Sequence, residues 1–273
     1  MLSKKIDFAV IIGVSNANPN GDPLNGNRPR VNYDGFGEMS DVCLKRKIRN
    51  RLMDDGEAIL VQSDDYRSDE HRSIKARYDA NVEIKNLAKE KDGEKKAKTA
   101  CAEWYDVRAF GQVLAGVDDV SASIAIRGPV SIQSAFSIQP VDVTSSQITK
   151  SVNLTTNEKD PSKKSGDTMG MKHRVDKGVY VTYGSINRQL SEKTGFSDED
   201  AKKLKTALCR MFNNDESSAR PAGSMEVIKV IWWTHEGVTL SSAKVHRSLS
   251  VESDGTYSLK GLDGITVEEL DGQ

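Results

Sequence analysis

Apolar and polar positions alternate from the start of the chain. In IDFAVIIGV (6–14), Phe8, Val10, Ile12 and Val14 recur at every second position among smaller or apolar partners, which predicts a well-buried strand. The next stretch, SNANPNGDPLNGNRPR, is dense in Asn, Gly and Pro and reads as loop as far as Met39. A loop of that length inside a compact domain is usually functional or disordered. A helix then starts at Ser40 as N-cap, with Asp41 in its first turn and Leu44, Ile48 and Leu52 as a buried stripe. Lys45, Arg46 and Arg49 fall off that stripe and predict a basic face turned away from the core.

From 57 to 103 the pattern is strongly charged and weakly periodic, as expected of a mobile insertion with some helix. WYDVRAFGQVL (104–114) is apolar again. RGPVSIQSAFSIQPV then alternates, with Val130, Ile132, Ser134, Phe136 and Ile138 on one face and Ser131, Gln133, Ser137 and Gln139 on the other. Residues 142–175 are rich in Ser and Thr and carry Lys150, Lys159, Lys163, Lys164, Lys172 and Arg174. Gly178–Ile186 resumes a strand. A second helix runs from Phe196 to Phe212, capped at Ser197 with Asp200 at N3, and Met225–Trp233 is the last strong strand before a hairpin-like tail. Without the insertions the order is strand, helix, strand, strand, helix, strand. That order predicts an α+β, ferredoxin-like or RRM-like arrangement: a four-stranded antiparallel sheet with two helices on one face. The open face of such a sheet commonly meets RNA.

The chain has 273 residues, enough for one core domain carrying insertions. Its longest apolar run, Phe8–Val14, is far short of the roughly 20 residues of a membrane helix. Asp7 interrupts any leader-like pattern, so a cytoplasmic location is expected. Cys43, Cys101 and Cys209 lie far apart and suggest neither a disulfide framework nor a zinc knuckle. With 39 basic and 40 acidic residues the chain is not a globally basic nucleic-acid binder, but charge is uneven along it. Lys45–Arg51 holds five bases and no acid, whereas 248–273 holds six acids and one base.

Common enzyme signatures are absent: there is no P-loop, G-x-G-x-x-G, H-E-x-x-H or G-x-S-x-G. The histidines lack metal spacing; His235 reads as structural, and His173 as a loop residue or a base. The basic helix beside a Gly-rich loop reads either as a solvated face or as a phosphate-backbone site. Met169 and Met171, in TMGMKHR, either tuck onto their own core or act as wedges between bases.

NANPNGDPLNGNRPR, SDVCLKRKIR, DVRAFGQVL, RGPVSIQSAFSIQPV, DTMGMKHRVDKGVYVTYGSIN and NDESSARPAGSMEV together resemble the repeated backbone subunit of CRISPR Cascade complexes. This is the Cas-seven family of the RAMP superfamily, and the likeness is to its type I-C branch. The resemblance implies a palm (1–56, 104–139 and 176–273), an inserted web (57–103) and a β-hairpin thumb (140–175). Many copies would stack along CRISPR RNA and leave its bases free for target DNA. Other partners implied are the Cas-five and Cas-eight type subunits, with no membrane, cofactor or metal. Carried over by position, the RNA contacts are Asn18, Asn20, Arg28 and Arg30 of the loop and Lys45, Arg46 and Arg49 of the helix. On the thumb they are Met169, Met171, Lys172 and His173, with Ser131 and Gln133 as a weaker pair. No residue is expected to be catalytic. The alternative is a RAMP ribonuclease that uses Asp22 or Asp41.

Overall fold

The computed structural model describes residues 1–87, 93–114, 124–149, 162, 169–237 and 240–273. Strand β1 (Ile6–Ala17) is followed by the two-residue strands β2 (Gly21–Asp22) and β3 (Arg28–Pro29), then β4 (Phe36–Met39) and helix α1 (Asp41–Asp54). Helices α2 (Ile74–Ala80), α3 (Val82–Asn86), α4 (Gly93–Glu103) and α5 (Tyr105–Phe110) lead into the pair β5 (Gly111–Leu114) and β6 (Ile124–Arg127). Next come β7 (Val130–Ile132), β8 (Ala135–Pro140), β9 (Val143–Thr149) and the long β10 (Met169–Ile186). Helices α6 (Arg188–Thr194) and α7 (Asp198–Cys209) precede β11 (Met225–His235). Helix α8 (Ser242–His246) and strands β12 (Leu249–Val251), β13 (Tyr257–Leu259) and β14 (Ile265–Asp271) follow.

The main sheet is antiparallel in the order β14-β11-β1-β10-β8-β4, with β7 and β9 also pairing β10. Central β1 aligns Ile6 with Ile186 of β10 and with Thr234 of β11. Phe8, Val10 and Ile12 pack with Leu44, Ile48 and Leu52 of α1 and Leu204 and Leu208 of α7. Both helices begin where the caps predict: Ser40 Oγ accepts from Cys43 N, and Ser197 forms a reciprocal capping box with Asp200.

The other face of the sheet is not open, contrary to expectation. Ala9, Ile231 and Trp233 are covered by Val245 and Leu249, while Val251 and Tyr257 pack against Ile11, Val179 and Val181. Both phases of β1 are apolar, the pattern of a strand buried on two sides, and the tail from α8 to β13 supplies the second cover. The alternation expected over 130–139 also breaks. Val130 and Ile132 are buried, the chain leaves strand geometry at Gln133–Ser134, and then Ala135 and Ser137 are buried while Phe136 is 42% exposed. One irregular step exchanges the two faces.

The stretch expected to be a mobile insertion is a packed lobe. Leu60, Tyr78, Ile84, Ala100, Cys101, Trp104, Val107 and Leu114 form its own core, with Tyr78 stacked on Trp104 at 5.9 Å. Of the segment grouped with the sheet strands from sequence, Trp104, Val107 and Leu114 belong to this lobe's core and Ile124 and Ile126 of the β5–β6 pair pack against it, whereas Tyr105 and Ala109 of α5 join the main core. The loop read over 15–39 likewise contains the β2–β3 hairpin and sheet strand β4.

Candidate nucleic-acid interface

The Gly/Asn loop is held by its own asparagines. Asn18 is 4% exposed, and its Nδ2 donates to the Asn27 carbonyl at 2.7 Å. Asn20 Oδ1 accepts from both the Ser40 amide and the Ser40 hydroxyl at 2.9 Å, which fastens the loop to the cap of α1. A Cβ at Gly21 would lie 1.9 Å from Asn27 Oδ1 and would displace that side chain. Arg30 is half-exposed and 3.6 Å from Asp22, whose carboxylate also accepts from Leu24 N. Asn18 and Asn20 are therefore builders of the loop, and the arginines are its outward chemistry.

Arg28 Nη1 donates to Ser145 Oγ at 2.8 Å, and His173 Nδ1 lies 2.8 Å from the same oxygen. Ser145 thus ties the loop to the β9–β10 hairpin, where it stands opposite His173. Met171 pairs with Gln147 and Met169 with Thr149, so both methionines share the His173 face by two-residue periodicity. They are 55% and 65% exposed and do not tuck into the core; Gln147 Nε2 lies 2.9 Å from Met169 Sδ. Lys172 is exposed on the opposite face. Lys150, Lys159, Lys163 and Lys164 lie outside the described residues. Ser145 was missed in the sequence because an isolated Ser in a Ser/Thr-rich run carries no signal of its cross-strand partner.

Helix α1 departs from the solvent-facing basic surface expected. Lys45 pairs with Asp41 at 2.9 Å, and Arg46 Nη1 donates to the Val61 carbonyl at 2.8 Å. Arg49 Nε reaches Asp106 Oδ2 at 2.9 Å, and that carboxylate also accepts from Leu60 N and Val61 N. Asp106 is buried, and Arg49 lies over the Phe110 ring at 5.2 Å. Lys47 pairs with Asp215, and Arg51 with Asp54 at 3.0 Å. Burial, with Arg49 nearby, lowers the Arg46 pKa from its ordinary value, and burial lowers that of Lys47. Five bases in seven residues cannot share one helix face, since each step turns about 100°, so several meet acids from distant segments. Lys45 and Arg46 keep part of their surface open.

Ser131 and Gln133 are exposed but stand apart from this assembly. Ser131 pairs with Ser185, whereas the hairpin leaves β1 near Val175 on the same strand, which is about 30 Å away at strand rise.

Residues 4–268 match the family model of CRISPR-associated protein Cas7. The chain belongs to the Cas7 family. It is 26% identical over 276 residues to the CRISPR-associated protein Cas7 of Haloferax volcanii, covering 96% of this chain and 79% of that one. A chain of the solved "CRISPR RNA-guided surveillance complex, pre-nicking" shares the fold, with a TM-score of 0.51 at 17% identity, covering 95% of this chain and 84% of that one. The two acids weighed as ribonuclease candidates in this Cas7 chain have local structural roles. Asp22 caps a short turn beside Arg30, and Asp41 begins α1 and holds Lys45. Among the described residues, no group of three or more His, Cys, Asp or Glu side chains is arranged to hold a metal.

Proposed function

We propose that this chain is the guide-binding backbone subunit of a type I-C effector complex. It binds CRISPR RNA without cutting it, stacks in copies along it, and leaves its bases free to pair with target DNA. In this reading β11-β1-β10-β7 with α1 and α7 is an RRM-like palm, the lobe around α2–α5 is the web, and β9–β10 is the thumb. Arg28, Arg30, Lys45 and Arg46 meet guide phosphates, and Arg49 supports them from beneath. His173 and Lys172 flank the backbone, Met169 and Met171 wedge between bases, and Ser131 and Gln133 are a separate, weaker contact. Cas-five and Cas-eight type subunits are the expected neighbours, in the cytoplasm.

The observation that carries this reading is the Arg28–Ser145–His173 line. It joins a donor-rich loop to a hairpin whose methionines are exposed on the same face, a combination suited to gripping phosphate while unstacking a base. Occupation of Asp22 and Asp41 in local caps and ion pairs favours the non-enzymatic reading over the ribonuclease. Native mass spectrometry of the chain with CRISPR RNAs of increasing length, at two salt concentrations, tests it. Copies should add in proportion to RNA length and be lost at high salt, with the RNA intact in the presence of divalent metal. Shortened RNA would instead identify a nuclease.

A further inference from the structure

A shallow cleft of about 460 Å³ lies on the side of the sheet opposite α1 and α7, between β10 and the end of α8. Tyr183, His246, Arg247, Ser250, Ser258 and Lys260 form most of its wall. The Tyr183 and His246 rings stack at 4.8 Å and give the cleft a flat aromatic side. Arg247 is the C-cap of α8. Ser250 and Ser258 stand opposite each other on β12–β13, and Lys260 follows Ser258 by two positions, on the same face. The Lys260 amide continues that ladder by donating to the Ser248 carbonyl at 2.9 Å. The Gln133 amide donates to the Tyr183 carbonyl at 2.8 Å, and Ser131 pairs with Ser185, so the exposed polar pair that stands apart from the hairpin borders this cleft. Tyr183 is about 26 Å at strand rise from Val175, where the hairpin leaves the sheet.

The wall is positive, and its cations are unanswered. Arg247 and Lys260 are exposed, and among the described residues neither side chain makes an ion pair or a hydrogen bond. No Asp or Glu is in the wall. Glu252 and Asp263, the acids nearest to Arg247 and Lys260 in sequence, lie outside it. The other acids of the tail are engaged elsewhere: Glu268 with Lys205 at 2.8 Å, Asp271 with Lys229 at 2.5 Å, Glu269 with the Tyr257 hydroxyl and Asp254 with Thr256. Asp7, 3.6 Å from His246, is fully buried and already holds Lys5 at 3.1 Å and His235 at 2.7 Å.

We propose that this cleft holds the sugar–phosphate backbone of a second nucleic-acid single strand, distinct from the guide. Arg247 and Lys260 meet its phosphates, Ser250 and Ser258 offer hydroxyls to them, and the Tyr183–His246 side faces its bases. Unpaired cations beside aromatic rings suit sequence-independent binding of single strands. An acidic peptide would use the cations alone and leave the aromatic side without a role. The inference goes beyond the guide-binding reading, since the cleft is across the sheet from α1 and remote from the hairpin.

Fluorescence anisotropy tests the assignment on the full chain, first alone and then saturated with unlabelled CRISPR RNA. The probes are labelled single strands of about 12 nucleotides, one DNA and one RNA, that cannot pair with the guide. The guide-saturated chain should bind them. The double variant Arg247→Gln/Lys260→Gln should weaken that binding about tenfold at low salt and lower the salt slope by about 1.4, at about 0.7 per phosphate. Guide binding and the melting temperature should stay as in the parent, because both side chains are exposed. Lys202→Gln, on α7 across the sheet, should bind the probes like the parent. Binding of either probe at the cleft supports the site, and the tighter one names the strand. If the double variant binds the probes like the parent, or if Lys202→Gln loses as much, the assignment is overturned. It also falls if the double variant weakens the guide instead, or if polyglutamate displaces a probe as well as an oligonucleotide of equal charge does. If the chain binds no guide, the guide reading falls and the titration of the chain alone still decides the cleft.

Discussion

Helix α1 and the loop–hairpin assembly are two basic regions of this molecule, and they use charge in opposite ways. On α1, Lys47, Arg49 and Arg51 are turned inward and answered by Asp215, Asp106 and Asp54. On the loop and hairpin, by contrast, Arg28 reaches a hydroxyl rather than an acid among the described residues, and Met169 and Met171 stand exposed. A run of bases in a sequence therefore says little about the charge a surface offers. What matters is whether acids elsewhere in the chain fold onto the run. By this measure α1 chiefly organises the fold, joining the sheet to the lobe around α2–α5, while in the guide-binding reading proposed above the loop and hairpin are the working surface.

The largest test of that contrast is Asp106→Ala. It leaves the Arg49 guanidinium and two backbone N–H groups without their acceptor in a buried site. Loss of one partner of a buried pair costs roughly 3 to 5 kcal/mol. Thermal denaturation should show a fall of about 10 °C for a chain of this size. RNA affinity, measured well below the transition, should change little. Unchanged melting together with weakened RNA binding would reverse the roles of the two regions.

His246 extends the comparison to a base on the sheet's second cover. Its ring stacks on Tyr183 at 4.8 Å, and its Nε2 lies 3.2 Å from the Gly184 carbonyl and 3.6 Å from Asp7 Oδ1. Burial holds its pKa below 6.5, against the opposing pull of Asp7, and Lys5 acts in the same direction as burial. The unfolded chain then binds the proton more readily than the folded one, so stability falls as pH drops below about 6.5. Urea denaturation at about pH 7.5 and about pH 5.5 should show that loss, and His246→Phe should reduce it. Greater stability of the parent at the lower pH would mean that Asp7, not burial, governs this ring.

Much of the fold was legible because its signals are local. The caps at Ser40 and Ser197, the Leu44–Ile48–Leu52 stripe and the strand at Phe8 each need only a few neighbouring residues. The features missed depend on distant segments. Nothing near Arg49 announces Asp106, and nothing near Ile11 announces Tyr257. Both phases of β1 being apolar was a readable sign of two covers, whereas the break at Gln133–Ser134 had no Gly, Pro, Asn or Asp to mark it. For the site, residue types were legible and roles were not. Asn18 and Asn20 shape the loop rather than stand open, and Ser145 joins Arg28 to His173 with no sequence signature.

Ser145→Ala asks whether that joint does more than hold the hairpin. It removes an acceptor from Arg28 and a partner from His173 on an exposed ladder, so melting should shift by less than about 2 °C. RNA affinity should fall about fivefold, the equivalent of roughly 1 kcal/mol for a hydrogen bond of this kind. Ser145→Thr keeps the hydroxyl and suits a strand, so it should restore binding. An equal loss with Thr would mean that the hydroxyl is not the link between loop and hairpin.

The smallest effect, and the sharpest one within a single helix, is the contrast of Lys45 with Arg49. Lys45 sits one turn before Arg49, but its partner Asp41 is half-exposed and the pair is an ordinary i,i+4 contact, worth about 0.3 kcal/mol. Lys45→Ala should leave melting within about 1 °C and lower RNA affinity two- to threefold. The loss should be equal across guide sequences, with the salt slope reduced by about one. Arg49→Ala should do the opposite: destabilise the fold by uncovering Asp106 and leave the salt slope in place. If both variants lower the slope alike, Arg49 reaches phosphate despite its ion pair, and α1 belongs to the working surface along its whole length.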